Sequence, residues 1–156
     1  MNLNFINLTE YKISEKLFEE VLEIVLKVEN INKEFSLDLV LLGEGRMRNI
    51  NKRYAGKNKV TTVLSFPLAE IKKPTKKDLQ FIEPHEEDNL LGEVLLCPSR
   101  IKKLANRQKE DFKEMLKFFF LHGFLHLLRY NHTKTEDTKE MRKKEKEILK
   151  KLENNK

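Results

Sequence analysis

Two apolar rhythms alternate along the chain and divide it into strands and helices. Asn2–Leu8 has the branched and aromatic content of a short strand. From Ser14, an N-cap, the positions Leu17, Val21, Ile24, Val25 and Val28 recur at helical spacing. Phe35–Leu42 alternates and then turns continuously apolar, as a largely buried strand does, before Gly43-Glu44-Gly45 breaks it. Met47, Ile50 and Tyr54 mark a short helix over Arg46–Ala55, ended by Gly56. Thr61–Phe66 reads as a third strand stopped by Pro67, and Leu90–Cys97 as a fourth stopped by Pro98. Between those two strands Leu68–Asn89 is a long polar connection. Helices follow over about Ser99–Gln108, Phe112–Leu128 and Glu136–Leu152. The second of these is apolar nearly all round, which places it at the centre of the domain. The order β-α-β-α-β-β-α-α-α predicts an α/β fold: a small mixed four-stranded sheet packed with helices, in a single domain over residues 1–156.

Composition narrows what such a domain does. Hydrophobic residues make 39% and charged residues 36% of the chain, against a usual charged share of about 25%. The apolar positions are organised, so the excess charge forms a skin around a folded core. No apolar run approaches the ~20 residues that span a bilayer, and the first residues lack the basic region and cleavage site of a signal peptide. The expectation is a cytoplasmic protein with no membrane partner. Cys97 is the only cysteine, which excludes an internal disulfide and any multi-cysteine zinc site. A net charge of +6 favours a polyanionic partner, nucleic acid above all.

The chemistry concentrates in one segment. Three of the four histidines lie in His122-Gly-Phe-Leu-His126-Leu-Leu-Arg-Tyr-Asn-His132. Positions i and i+4 of a helix lie about 40° apart and one turn above each other, so His122 and His126 can reach one metal ion. A turn near Arg129-Tyr130 brings His132 back to the same point. Three neutral imidazoles with an open fourth position form a catalytic zinc arrangement, with one ion per chain, whereas structural sites are closed by four ligands. Nickel, cobalt and copper also suit three imidazoles. Gly123 stands where H-E-x-x-H zinc proteases carry their glutamate base, so a zinc peptidase would need a glutamate entering from another element. His85, alone in an acidic stretch, reads as solvated.

The histidine segment resembles the metal signature of the YbeY family, H-G-x-L-H-L-x-G-Y-D-H, with Gly123, Leu125, Leu127 and Tyr130 in agreement beside the three histidines. Two further segments match in order. Asn51-Lys-Arg-Tyr54-Ala-Gly56-Lys57-Asn-Lys-Val-Thr61-Thr-Val63-Leu-Ser-Phe-Pro67 resembles N-x-x-Y-R-G-K-D-x-P-T-x-V-L-S-F-P, and Leu91-Gly92-Glu93-Val94 resembles L-G-D/E-I/V. The resemblance implies a zincin-like central helix carrying the metal ligands His122, His126 and His132. It also implies zinc-dependent cleavage of single-stranded RNA, in maturation of the small-subunit rRNA 3′ end and in ribosome quality control. The partners would be rRNA and the small ribosomal subunit, not DNA.

The chain departs from the family pattern at informative places. Ala55 replaces an arginine that engages substrate phosphate or transition-state charge, which an alanine cannot do. Arg129 replaces the glycine at the helix end, and Asn131 replaces the aspartate before the last histidine. Asn58 and Val60 replace Asp and Pro of the upstream motif. These changes leave the three metal ligands in place, while those at Ala55 and Asn131 motivate an alternative: a non-catalytic, zinc-containing ribosome-assembly or RNA-binding factor. Candidate substrate contacts are Arg53, Lys57, Ser65 and Arg100. Arg100, Lys103 and Arg107 share one helix face that could track phosphates. Phe118-Phe119-Phe120, Cys97 and the charged last helix, with Glu140, Glu145 and Glu147 among its lysines, read as core, packed thiol and solvent face respectively.

Overall fold

The computed structural model describes residues 2–31, 35–67, 90–128 and 135–154. The connection expected over Leu68–Asn89, with His85, and the stretch from Arg129 to His132 lie outside the described residues. Strands β1 (Asn2–Asn7), β2 (Ser36–Leu41), β3 (Val63–Pro67) and β4 (Leu90–Leu96) form one sheet in the order β1-β2-β4-β3. β1, β2 and β4 run parallel and β3 pairs antiparallel with β4, which makes the sheet mixed. The described helices are α1 (Lys16–Val28), α2 (Glu44–Ala55), α3 (Pro98–Gln108), α4 (Phe112–Leu127) and α5 (Thr135–Asn154). The α/β architecture and the order of elements follow the apolar pattern.

Strand alternation divides the sheet between two apolar layers. Leu37, Leu39, Leu41, Val94 and Leu96 face a layer built with α1, α3, α4 and α5. Val40, Leu42, Leu95 and Cys97 face α2 through Met47 and Ile50. Phe18, Phe120 and Phe124 are fully buried in the larger layer, with Phe18 and Phe120 edge to face at 5.2 Å. α4 is the helix at the centre of that layer, and Phe120, Leu121, Phe124 and Leu125 on it are completely covered.

Helix ends explain most boundaries. The N-cap of α1 is Glu15, without a side-chain cap bond, and not the expected Ser14, whose Oγ accepts the Lys16 backbone N–H at 3.3 Å from one residue further out. Asp111 caps α4 by accepting from Glu114 N–H at 3.0 Å. α2 begins earlier than the glycines suggest: Gly43 is its N-cap, and Glu44 and Gly45 form its first turn. Glycine weakens a helix interior, but in a first turn the backbone N–H groups have no helical partner to lose. Gly56 ends α2 with φ +69°, a left-handed conformation that suits glycine. Asn51, buried on α2, then fastens the turn that follows, its Nδ2 donating to the Lys59 carbonyl at 2.9 Å. That staple sets the entry of the chain into β3.

Candidate functional site

β3 is the edge of the sheet beside α4. Along it, Val63 and Ser65 point to the α4 side while Leu64 and Phe66 point toward α2, as the period of two requires. α4 comes down on this edge at Gly123. A Cβ there would lie 2.9 Å from Val94 Cγ1 and 3.0 Å from Val63 Cγ2, closer than side chains pack. Position 123 therefore points into the sheet. Its glycine is a close-approach residue, and a glutamate there would collide with two valines instead of reaching a substrate. On β4, Gly92 serves a similar end: a Cβ would sit 2.4 Å from the Phe66 carbonyl oxygen and 2.9 Å from Leu127 Cδ2.

With Gly123 against the sheet, the residues flanking it on the helix turn outward into a cleft. The cleft holds about 310 Å³ and is lined by Val63, Leu64 and Ser65 of β3 and by His122, Gly123 and His126 of α4. The two imidazoles stand one turn apart, ring centroids 4.7 Å from each other and nearly perpendicular at 71°. Their Nε2 atoms face each other at 3.2 Å. Two nitrogens at the vertices of a tetrahedron around a metal, each ~2.0–2.1 Å from it, lie about 3.3 Å apart. The pair thus has the spacing of two ligands of one tetrahedral ion. On the other side of its ring, His122 Nδ1 lies 2.7 Å from Glu145 Oε1. Glu145 is buried, although it belongs to the charged last helix α5. A carboxylate behind a histidine is the usual support of a metal-binding imidazole.

The structure sorts the candidate residues of the sequence. It brings His122, His126 and Ser65 together in the cleft, with Phe118 beside His122 at a ring separation of 6.4 Å. His132 lies outside the described residues. Arg53 and Lys57 are exposed at the end of α2 and in its following turn, and Arg100 is half-buried on α3; none of the three lines the cleft. Lys103, on the basic face of α3, reaches across to Glu44 of α2 at 3.0 Å, so part of that face is paired with an acid. Ala55 is exposed as the last residue of α2. Cys97 is fully buried, and burial pushes its thiol pKa up, in keeping with a packed thiol.

Glu145 is the residue that composition concealed. Read as part of a solvated face, it lies instead on the buried side of α5. A signal was present: Met141, Glu145, Ile148 and Leu152 follow the spacing i, i+4, i+7, i+11, and all four are buried. A carboxylate on an apolar stripe implies a partner inside.

Known proteins resemble the chain over nearly all of its length. The family model described as endoribonuclease YbeY matches residues 4–153. A Bacillus cereus protein of that name is 35% identical over 149 residues, covering 94% of this chain and 93% of the relative. A Staphylococcus aureus relative of the same name is 35% identical over 126 residues, 81% of this chain and 78% of its own. A solution structure from Thermotoga maritima shares the fold with a TM-score of 0.63 at 24% identity, over 98% of this chain and 90% of that one. A match of this extent takes in the strand edge, the histidine helix and the last helix alike, and the chain belongs to the endoribonuclease YbeY family.

Proposed function

We propose that this protein is a zinc-dependent, single-strand-specific endoribonuclease. It would mature the 3′ end of small-subunit rRNA and serve ribosome quality control in the cytoplasm, with rRNA and the small subunit as partners. The observation that carries this reading is the pair of imidazole Nε2 atoms 3.2 Å apart in an open cleft, in a chain whose relatives are named endoribonucleases. His122, His126 and His132 would hold the ion. Bound there, zinc supplies Lewis acidity toward a phosphoryl oxygen and lowers the pKa of a water.

The chain's own groups account for the rest. Ser65, on the cleft wall, offers a hydroxyl that can donate to a phosphate oxygen. Val63 gives the cleft an apolar wall that a nucleotide can rest on. Exposed cations such as Arg53 and Lys57 steer the polyanion from a distance. A peptidase reading finds no support in Glu145, which lies behind the His122 ring on its Nδ1 side and not in the cleft. The alternative of a non-catalytic assembly factor rests on Ala55, whose methyl group offers nothing to a phosphate, and on Asn131, which cannot take a proton as the family's aspartate can.

One experiment separates these readings. Metal analysis of the purified protein should give one zinc per chain. A labelled rRNA fragment spanning the 3′ end should be cut in a metal-dependent way. His126→Ala should lose the zinc and lower cleavage by about 10²–10³-fold. Zinc bound without cleavage would favour the assembly factor, and a protein free of metal would remove the basis of the proposal.

A further inference from the structure

The cleft is built from β3 and α4, yet its rear support comes from a helix that never enters it. α5 buries Met141, Ile148 and Leu152 in the main core, and between them it delivers Glu145 Oε1 to His122 Nδ1 at 2.7 Å. Carboxylates are rarely buried unless something inside requires them, since removing the charge from water is costly. Here the partner inside is one face of an imidazole whose other face opens on the cleft.

We propose that Glu145 is a positioning residue for the metal centre: by accepting the His122 Nδ1–H it fixes the ring's tautomer and orientation, so that Nε2 presents its electron pair to the ion. The inference rests on the metal reading of the histidines given above. Two geometric facts support it. First, a ring that donates through Nδ1 is left with Nε2 as its electron-pair donor, and Nε2 is the atom that faces His126 at 3.2 Å. Second, the His122 ring is only half-buried, and a carboxylate oxygen 2.7 Å from its Nδ1 adds a directional constraint on its rotation to whatever packing supplies.

A merely structural role, in which Glu145 only helps to dock α5, makes a different forecast. The neighbouring Lys144 also ties α5 to the body of the protein, through Glu29 at the C-terminal end of α1 at 3.5 Å. Lys144→Ala therefore weakens docking without touching the site. The test is zinc affinity, measured by competition with a chromophoric chelator, for the parent, Glu145→Ala, Glu145→Gln, Glu145→Met and Lys144→Ala, each checked for folding by thermal melting.

Glu145→Ala should weaken zinc binding about 10- to 100-fold. Glu145→Gln keeps an acceptor oxygen and should recover most of that loss, while Lys144→Ala should match the parent. If Glu145→Ala binds zinc as the parent does, or if Lys144→Ala loses affinity equally, Glu145 does not position the site. If Glu145→Ala fails to fold, Glu145→Met, which fills the volume without offering an acceptor, decides: affinity reduced about tenfold or more supports positioning, and affinity near the parent overturns it. A parent that binds no zinc is a separate failure, which sinks the metal reading itself and this inference with it.

Discussion

Among the described residues each side of the sheet buries one glutamate, and the two meet opposite fates. Glu145, on the α4 side, is 7% exposed and has an imidazole nitrogen 2.7 Å from its carboxylate. Glu93, on the α2 side of β4, is 2% exposed, and its Oε2 meets no hydrogen-bond partner among the described residues. Its strand neighbour is Asp38 of β2, which accepts from Asn4 Nδ2 at 2.9 Å. Burial first, and the Asp38 carboxylate second, push Glu93 up to about 8. The same side chain at similar depth thus becomes a support in one place and a protonated acid at neutral pH in the other. At Glu93 burial discourages the charge most and the second acid adds to it, whereas Glu145 has an imidazole nitrogen beside it.

The largest effect expected from this contrast is on stability at alkaline pH. A carboxyl whose pKa rises from 4.5 to about 8 on folding stabilises the native state fully below pH 4.5. That contribution drains away as pH climbs, and it is gone above about 8. The full swing is up to about 5 kcal/mol. Denaturant titrations at pH 5 and pH 9 should show the parent losing that much relative to Glu93→Gln, which has no proton to lose. Equal slopes in the two proteins would break the comparison.

A smaller effect belongs to the α4 side. Gly123→Ala forces a methyl group against Val94 and Val63, an overpacking that costs about 1–3 kcal/mol. It should lower the melting temperature and weaken zinc binding together, because the helix that backs off carries both cleft histidines. An alanine variant that melts lower yet binds zinc normally would show that helix seating and ligand placement are independent. Least in size, Asp38→Asn should move the pH at which Glu93 loses its stabilising effect downward, by less than burial has raised it. The pH midpoint of the stability difference against Asp38→Asn/Glu93→Gln measures that shift.

Much of this was legible in the residues. Helical spacing in Leu17–Val28 and alternation in Phe35–Leu42 placed α1 and β2 within a residue or two, because both segments bury one regular face. The histidine pair was legible for the same reason: i and i+4 share a face whatever surrounds the helix. Gly123 was harder. Its sequence showed the lack of a glutamate, and only the packing shows that the position belongs to the sheet, with no room for any side chain. Glu145 hid inside a run of alternating charge, Lys143-Lys144-Glu145-Lys146-Glu147, where composition outweighed the stripe it sits on. Arg53, Lys57 and Arg100 were singled out by charge and nearness in sequence, and none of them is among the described residues that line the cleft. Charge is a property of residues, whereas a groove is a property of how helices are set on a sheet.

Residues 63–65, 122–126 and 145 meet at one point after being made far apart in time. Synthesis runs from the N-terminus, so the strand wall exists first, the imidazoles next, and the acceptor behind His122 last of the three. A chain halted before residue 145 would possess both cleft histidines and lack the group that steadies one of them. Helix α5 is thus a completion step for the cleft: its rear is finished only after the strand wall and both imidazoles have been delivered and folded.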